Sequence, residues 1–190
     1  MCRGYGLSRP KEVAHHYGAA FSRVWSRWVG APRCQIGREL GANVTAIDIS
    51  EEKLALAKSL GASQTLNAAS DKVVQELRSQ GGVHVALVTS AARAAYDMAF
   101  YCVRPTGMLL AVGLPAQDIC FPPILMAAGE IRIQASAVGT RQDLQEILAM
   151  GAAGKVHCEV ASQPLSQANE VLEKLRRGQV SGRLVLIISS

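Results

Sequence analysis

One acidic side chain, Asp48, follows a short apolar run in a pattern that suits nucleotide binding. The run 44–47 is long enough for one strand, and a helical pattern begins after Ser50 and ends at Gly61. A carboxylate at the end of such a strand can accept hydrogen bonds from the hydroxyls of an adenosine ribose. Because its charge repels a 2′-phosphate, Asp48 predicts NAD rather than NADP. The alternative is structural, with Asp48 acting only as the cap of the next helix.

The elements around Asp48 alternate between strand and helix. We predict helices at 35–40, 51–60, 70–79, 91–102, 141–150 and 167–177, and strands at 43–47, 64–66, 83–88, 108–112, 131–137, 159–161 and 184–188. Strands 83–88 and 108–112 are apolar runs, which are typical of a parallel sheet that is covered on both faces. The order predicts an α/β fold with a doubly wound, Rossmann-like parallel sheet.

The overall composition narrows the class of protein. The chain has 190 residues, of which 49% are hydrophobic, and this is enough for one sizeable core. No apolar run reaches the roughly 18 residues that are needed to cross a bilayer, so we expect no membrane partner and a cytoplasmic location. The five cysteines form no Cys-x-x-Cys pair, and we expect reduced thiols rather than a zinc cluster or disulfides.

The N-terminal segment 1–34 differs in charge from the rest of the chain. It carries six basic side chains and one acidic one, whereas residues 35–190 hold 14 of each. We therefore divide the chain into an atypical basic segment, 1–34, and a cofactor-binding domain, 35–190. A basic, acid-poor segment is also typical of a targeting sequence or of a surface helix that is attracted to anionic lipid. Nucleic acid is not an expected partner, because no recognised module surrounds the basic residues.

The chain lacks the phosphate-binding motif that such a fold places before residue 35. No Gly-x-Gly-x-x-Gly motif is present, and apolar side chains recur instead at helical spacing, at Phe21, Val24, Trp25, Trp28 and Val29. We therefore expect an incomplete sheet without its normal first strand and glycine loop. An isolated chain of this kind should fold poorly or aggregate through open strand edges, and its binding of a dinucleotide should fail for want of a phosphate cradle.

Residues 35–190 resemble the cofactor-binding domain and C-terminal strand of the zinc-dependent medium-chain alcohol dehydrogenases, closest to the propanol-preferring bacterial type. The resemblance is carried by IDISEEKLALAKSLGA, ALVTSA, MLLAVGLP, ASAVGTRQDLQEIL and GQVSGRLVLI, in the family's order and spacing. It implies an oxidoreductase that passes a hydride from a small alcohol to NAD and releases an aldehyde. The family's zinc ligands are absent from this sequence, so we expect a truncated cofactor domain with no catalytic residue, no metal ligand and no activity alone.

The resemblance also assigns cofactor contacts to ten positions. Asp48 and Lys53 would hold the adenosine ribose, and the forked guanidinium of Arg183 would pair with the pyrophosphate. The residues that would line the nicotinamide side are Thr89, Val112, Gly113, Leu114, Val138, Gly139 and Thr140.

Two further hypotheses concern segment 1–34 and the partners of the chain. Reading the possible codons of residues 25–34 one base later permits Gly-x-Gly-Gly-Leu-Gly, so the segment is hypothesised to be a frame-shifted translation of the missing loop. The resemblance also implies a homo-oligomer, or pairing with a full-length relative, through sheet extension at residues 119–125. Pro122 and Pro123 would limit the hydrogen bonds of that edge. The alternative function is therefore a non-catalytic interaction domain, or pseudoenzyme.

Overall fold

A computed structural model describes residues 24–27, 32–177, 179–180 and 182–188. The strands in these ranges are β1 (Val24–Arg27), β2 (Val44–Asp48), β3 (Gln64–Asn67), β4 (Val83–Val88), β5 (Val103–Ala111), β6 (Arg132–Ala135), β7 (Val160–Pro164) and β8 (Arg183–Ile187). The helices are α1 (Pro32–Glu39), α2 (Glu51–Ser59), α3 (Val73–Ser79), α4 (Arg93–Cys102), α5 (Pro123–Gly129), α6 (Arg141–Ala152) and α7 (Ala168–Arg176), with a 3-10 turn at Leu165–Gln167.

The main sheet contains six strands in the order β3-β2-β1-β4-β5-β6, and every neighbouring pair is parallel. This is the strand order of the doubly wound Rossmann fold, in which the chain changes direction between the first and fourth strands. The predicted fold class is confirmed. The second sheet is a parallel pair, β7 and β8.

The prediction that the central strand is missing is wrong. β1 lies between β2 and β4, and Val24 is opposite Val44 on one side and Val85 on the other. The reason is tertiary, because without β1 two neighbouring strands would each leave a row of unpaired backbone groups inside the sheet. The four extended residues of β1 pair with both rows. The local preference for a helix, indicated by the spacing of apolar residues, is too weak to outweigh this pairing. The expected aggregation through open central edges therefore loses its basis.

Apart from β1 and the beginning of α1, segment 1–34 lies outside the described residues. Residues 28–31, which precede α1, lie there as well. The frame-shift and targeting hypotheses, and the division at residue 34, stay predictions.

The core covers both faces of the main sheet. On one face, Phe100, Leu77 and Leu109 belong to one buried cluster with Ile47 of β2. On the other face, Cys34 of α1 packs with a cluster that includes two more residues of β2, Val44 and Ala46. All five positions of β2 are buried, as expected for a strand between two layers of helices. Among the described residues, no helix has the length and apolar character needed to span a membrane.

Candidate cofactor site

The carboxyl ends of the parallel strands form one edge of the main sheet. Asp48 lies at the end of β2, and Thr89 directly follows β4. The segment 112–114 follows β5, and the segment 138–140 lies between β6 and α6. Ligands of doubly wound sheets bind at this edge, beside the point where the strand order reverses. Eight of the ten predicted contacts therefore lie at one edge of the main sheet, and Lys53 lies in α2, the helix that follows β2. Arg183 is the exception, because it belongs to the second sheet.

Asp48 is held in place by one of its two carboxylate oxygens. Its side chain is buried, and Oδ1 accepts the backbone N–H of Ser50 at 3.0 Å. Among the described residues, none donates a hydrogen bond to Oδ2. The cap of α2 is Ser50, whose Oγ accepts the N–H of Lys53 at 3.4 Å, so Asp48 is not itself the cap. The carboxylate is therefore oriented by the turn, and it keeps one oxygen for a further donor.

Thr89 carries a buried hydroxyl. Only 6% of the residue is exposed, and Oγ1 has no hydrogen-bond partner among the described residues. Leaving such a group unpaired costs about 1–3 kcal/mol, so orphaned hydroxyls in native folds call for an explanation such as a ligand. The next strand end comes very close to it. A Cβ on Gly113 would lie 2.6 Å from the carbonyl carbon of Ser90 and 2.7 Å from that of Thr89, so only glycine fits.

The segment after β5 is fixed by backbone bonds and by one tyrosine. The N–H groups of Val112 and Gly113 both donate to the carbonyl oxygen of Val88 at 2.9 Å. The hydroxyl of Tyr96 donates to the carbonyl oxygen of Gly113. Burial raises the pKa of Tyr96, so this donor keeps its proton. Leu114, the next residue, is 87% exposed and lies open beside the edge.

The segment after β6 combines strain with a firm anchor. Val138 has a positive φ of 31°, which is unusual for a β-branched residue. Its side chain is 90% exposed. Strained backbone of this kind is concentrated at binding and catalytic sites. Thr140 caps α6, where its Oγ1 accepts the N–H of Asp143 at 3.2 Å and its own N–H donates to the Asp143 carboxylate at 2.7 Å. Gly139 therefore connects a strained residue to a fixed one.

Arg183 begins β8 in the second sheet, and the segment before that sheet runs along α1. The ammonium of Lys155 lies 3.4 Å from the carboxylate of Glu39, at the C-terminal end of α1. Two residues later, the N–H of His157 donates to Oε1 of Gln35 at 2.6 Å. The segment thus runs towards the N-terminal end of α1, and its next step is Glu159, whose carbonyl oxygen accepts the N–H of Arg183 at 2.8 Å.

Arg33, in the first turn of α1, is a partly buried residue that the sequence reasoning did not single out. Its Nη1 is fully buried and has no hydrogen-bond partner in the part of the chain that the structure describes. Burial, and then the charge of Arg183, lower the pKa of Arg33. The signal was a basic residue in the helix turn after β1, but without recognition of β1 it was counted with the basic segment.

The described residues do not provide a zinc site. No three His, Cys, Asp or Glu side chains among them converge in a way that could hold a metal ion. Cys34 and Cys102 are buried, and burial raises the pKa of the Cys34 thiol and that of Cys102 to about 12. Both are therefore neutral thiols rather than the thiolates that zinc binds. We derive no step through a metal from these residues.

Strand order and edge geometry together define a Rossmann-like domain. The model of a family described as zinc-binding dehydrogenase matches residues 29–153, and the chain belongs to that family. An alcohol dehydrogenase of Geobacillus stearothermophilus is 40% identical over 159 residues, which are 83% of this chain and 47% of that relative. The chain spans about half the length of the curated relatives it matches.

Solved structures of the same family superpose closely on the chain. The alcohol dehydrogenase of the hyperthermophilic archaeon Aeropyrum pernix is 34% identical, with a TM-score of 0.85 over 94% of this chain and 53% of that one. The acetophenone reductase of Geotrichum candidum, solved in complex with NAD, is 26% identical, with a TM-score of 0.79 over 92% of this chain and 51% of that one. The resemblance to alcohol dehydrogenases is confirmed.

Proposed function

We propose that the chain is the NAD-binding part of an alcohol dehydrogenase. The observation that carries the proposal is Asp48, a buried carboxylate at the carboxyl end of β2 with one oxygen fixed by Ser50. A buried carboxylate with one uncommitted oxygen suits the paired hydroxyls of a ribose, because charge-assisted hydrogen bonds are stronger than neutral ones. Lys53, five residues later in α2, is proposed to contact the same ribose.

The other end of the edge suits a nicotinamide riboside. The orphaned hydroxyl of Thr89 would gain a hydrogen-bond partner from a bound polar ring substituent. The backbone of 112–114 would lie against the ring, since the close approach at Gly113 leaves no side chain in the way. Val138, Gly139 and Thr140 would border the ring from the β6 side. These residues bind, orient and exclude water.

NAD, when bound, supplies the acceptor for a hydride that leaves a small alcohol as it becomes an aldehyde. Among the described residues, no three His, Cys, Asp or Glu side chains converge to hold the family's zinc. We therefore assign binding and orientation of the cofactor to this chain. The whole reaction, with a small alcohol as substrate and zinc as the family's metal, is proposed only for an assembly in which a zinc-binding domain faces this edge.

Calorimetric titration of the full chain with NAD and with NADP tests the proposal. The expectation that binding fails without a glycine loop is untested, and we propose instead that NAD binds, more tightly than NADP. In Asp48→Asn the side-chain oxygen can still accept the N–H of Ser50, while the charge is lost. The affinity for NAD should then fall by about tenfold, and the preference over NADP should shrink. Asp97→Asn, at a half-exposed side chain on α4 that pairs with Arg93, is the matched control and should change neither affinity.

Two outcomes would contradict this proposal. The first is a wild-type chain that is folded by circular dichroism and binds no NAD. The second is an Asp48→Asn variant that keeps the full preference for NAD, which would leave Asp48 only its contact with Ser50.

A second candidate function is pairing with a copy of the chain or with a longer relative. β6 is the last strand of the main sheet and has one neighbour there, β5. Nearby on α5, Ile124 is 77% exposed. In the single chain residues 119–122 belong to no helix or strand and α5 begins at Pro123, and the predicted sheet extension at residues 119–125 stays a prediction. Light scattering of wild type and Ile124→Asp measures the oligomeric state, and identical monomer masses would contradict this function.

A further inference from the structure

We propose that Gln35, in α1, is a positioning residue that sets the place of Arg183 through the backbone that joins α1 to the second sheet. The inference rests on the proposed NAD-binding function, in which Arg183 is assigned to the cofactor. It adds a residue that has no predicted contact with NAD and that acts on the cofactor only through Arg183.

Gln35 joins two parts of the chain that are far apart in sequence. Its side chain is buried, and Oε1 accepts the backbone N–H of His157 at 2.6 Å, across 122 residues. Burying an amide side chain is costly unless the amide is hydrogen-bonded, so a glutamine at this position supports a specific contact rather than simple packing. The bond therefore fixes which residue of the segment 155–159 lies against the middle of α1.

The neighbouring contacts hold this segment but do not set its register. The ammonium of Lys155 lies 3.4 Å from the carboxylate of Glu39, and the lysine side chain is 55% exposed, so the pair is weak. Val156 is buried, but apolar burial has no preferred direction. A hydrogen bond depends on both distance and angle, and the one from His157 to Gln35 is the contact that locates the segment along the helix.

Two residues after His157, the backbone of Glu159 passes this placement on to Arg183. The carbonyl oxygen of Glu159 accepts the N–H of Arg183 at 2.8 Å. Gly182 has a φ of 79°, and a Cβ on it would lie 2.6 Å from the same carbonyl oxygen. The backbone of residues 182 and 183 is thus packed directly against Glu159, with no room for a side chain between them. A displacement of Glu159 therefore displaces Arg183.

The side chain of Arg183 depends on this placement of its backbone. The residue is exposed, and Nη1 donates to the carbonyl oxygen of Gly182 at 3.4 Å, which is a long bond to an adjacent residue. Such a bond does not orient a guanidinium group firmly. Because the forked donors of arginine bind an anion best when both are aligned, a shift of the backbone should weaken the contact with NAD.

The experiment titrates the full chain with NAD and with adenosine. Gln35→Leu keeps the size of the side chain and removes the acceptor for His157. We expect the affinity for NAD to fall by about fivefold. The affinity for adenosine should not change, because its ribose is proposed to bind at Asp48 in the main sheet. Glu39→Gln, which removes the neighbouring ion pair of the same helix, is the matched control and should change neither affinity.

A combined variant separates positioning of Arg183 from a general structural role. Arg183→Gln alone should weaken NAD by about tenfold. Adding Gln35→Leu to Arg183→Gln should cause no further loss, because the guanidinium that Gln35 positions is already absent. Two residues that act independently would instead give losses that multiply.

Gly182→Ala interrupts the same path at its other end. The added methyl group would push residue 182 away from Glu159, so NAD should again bind several-fold more weakly while adenosine binding is unchanged. Gly81→Ala is the matched control. Gly81 has a φ of 91°, and no atom lies within 4 Å of the added Cβ, so this change brings similar backbone strain without the contact and should leave the affinity for NAD unchanged.

Hydrogen exchange measures the same path without any ligand. The N–H of Arg183 should exchange about fivefold faster in Gln35→Leu, because the Glu159 carbonyl that accepts its bond is held less firmly. The N–H of Ala86, inside β4 of the main sheet, should exchange at the wild-type rate.

The outcomes separate this inference from the proposed function. If the wild type binds NAD and a folded Gln35→Leu binds it equally well, the positioning role is overturned and the NAD site stands. The role is also overturned if Gln35→Leu weakens NAD by the same factor without Arg183, or if exchange at Arg183 is unchanged. If the wild type binds no NAD while Gln35→Leu speeds exchange at Arg183, the positioning of Arg183 stands and the proposed function is wrong.

Discussion

The two sheets of this molecule share parallel pairing but differ in burial. In the main sheet, β2 is buried at every position and β4 at four of its six positions. In the second sheet, β7 is exposed at four of its five positions, and β8 alternates between exposed and partly buried. Parallel strands are usually covered by helices on both faces, and the main sheet follows this rule.

The difference assigns separate physical tasks to the two regions. Apolar burial contributes about 25 cal/mol per Å² of surface removed from water, so the main sheet and its helices must supply most of the stability. The second sheet is held by its own ladder and by contacts between residues 155–157 and α1. The second sheet also carries Arg183, the residue proposed to contact the cofactor from outside the main sheet.

The largest contrast is expected from trimming one buried and one exposed side chain. Leu109 of β5 is fully buried, and Leu109→Ala should lower the free energy of unfolding by about 3 kcal/mol, through lost burial and the cavity that remains. Val185 of β8 is 46% exposed, and Val185→Ala should cost less than about 1 kcal/mol. Urea denaturation followed by circular dichroism measures both values. Equal losses would mean that the two sheets share one core.

The second contrast concerns glycine at the edge of the main sheet. Gly113→Ala would place a methyl group against the backbone of residues 89 and 90, and it should cost about 2 kcal/mol by forcing the strand ends apart. It should also weaken NAD binding. Gly151→Ala, in α6, meets no atom closer than 3.9 Å and should be neutral or stabilising by up to about 1 kcal/mol. Thermal unfolding and NAD titration of both variants test this, and a fully stable Gly113→Ala would contradict it.

Local signals in the sequence predict the β2–α2 unit almost residue by residue. Ser50 caps α2 through its own side chain, and Gly61 follows the helix with a φ of 97°, so each signal acts within a few residues. Strand β4 is predicted with its observed bounds for a similar reason, because an apolar run between two breaks can be recognised without its neighbours.

Elements that depend on distant partners are the ones the prediction missed. β1 is extended because β2 and β4 both need a partner, and neither is adjacent to it in sequence. α5 begins at Pro123. Proline is favoured in the first turn of a helix, where the N–H that it lacks would have no partner within the helix, but in the sequence the same residue also indicates a sheet edge. The contact of α1 with residue 157 was missed for the same reason, because it joins Gln35 to a segment more than 120 residues away.

The third contrast is a dependence on pH. Burial holds the pKa of Cys102, at the end of α4, at about 12 against an ordinary value of 9.0. The folded state therefore keeps a proton that the unfolded state loses, so stability should fall as the pH rises above 9.0, by about 2 kcal/mol at pH 10.5. Cys102→Ala should remove this part of the slope. Cys158, which is exposed beside β7, provides the control, and Cys158→Ala should keep the full slope.

The smallest effect is expected on α7, in the exposed half of the molecule. The ammonium of Lys174 lies 2.7 Å from the carboxylate of Glu170, one helical turn away, and both side chains are about half exposed. Water and salt screen such a pair, so Glu170→Gln should cost no more than about 0.5 kcal/mol, and less at high ionic strength. Urea denaturation at two salt concentrations measures it. A cost comparable with that of Leu109→Ala would mean that the second region carries stability which its exposed side chains do not explain.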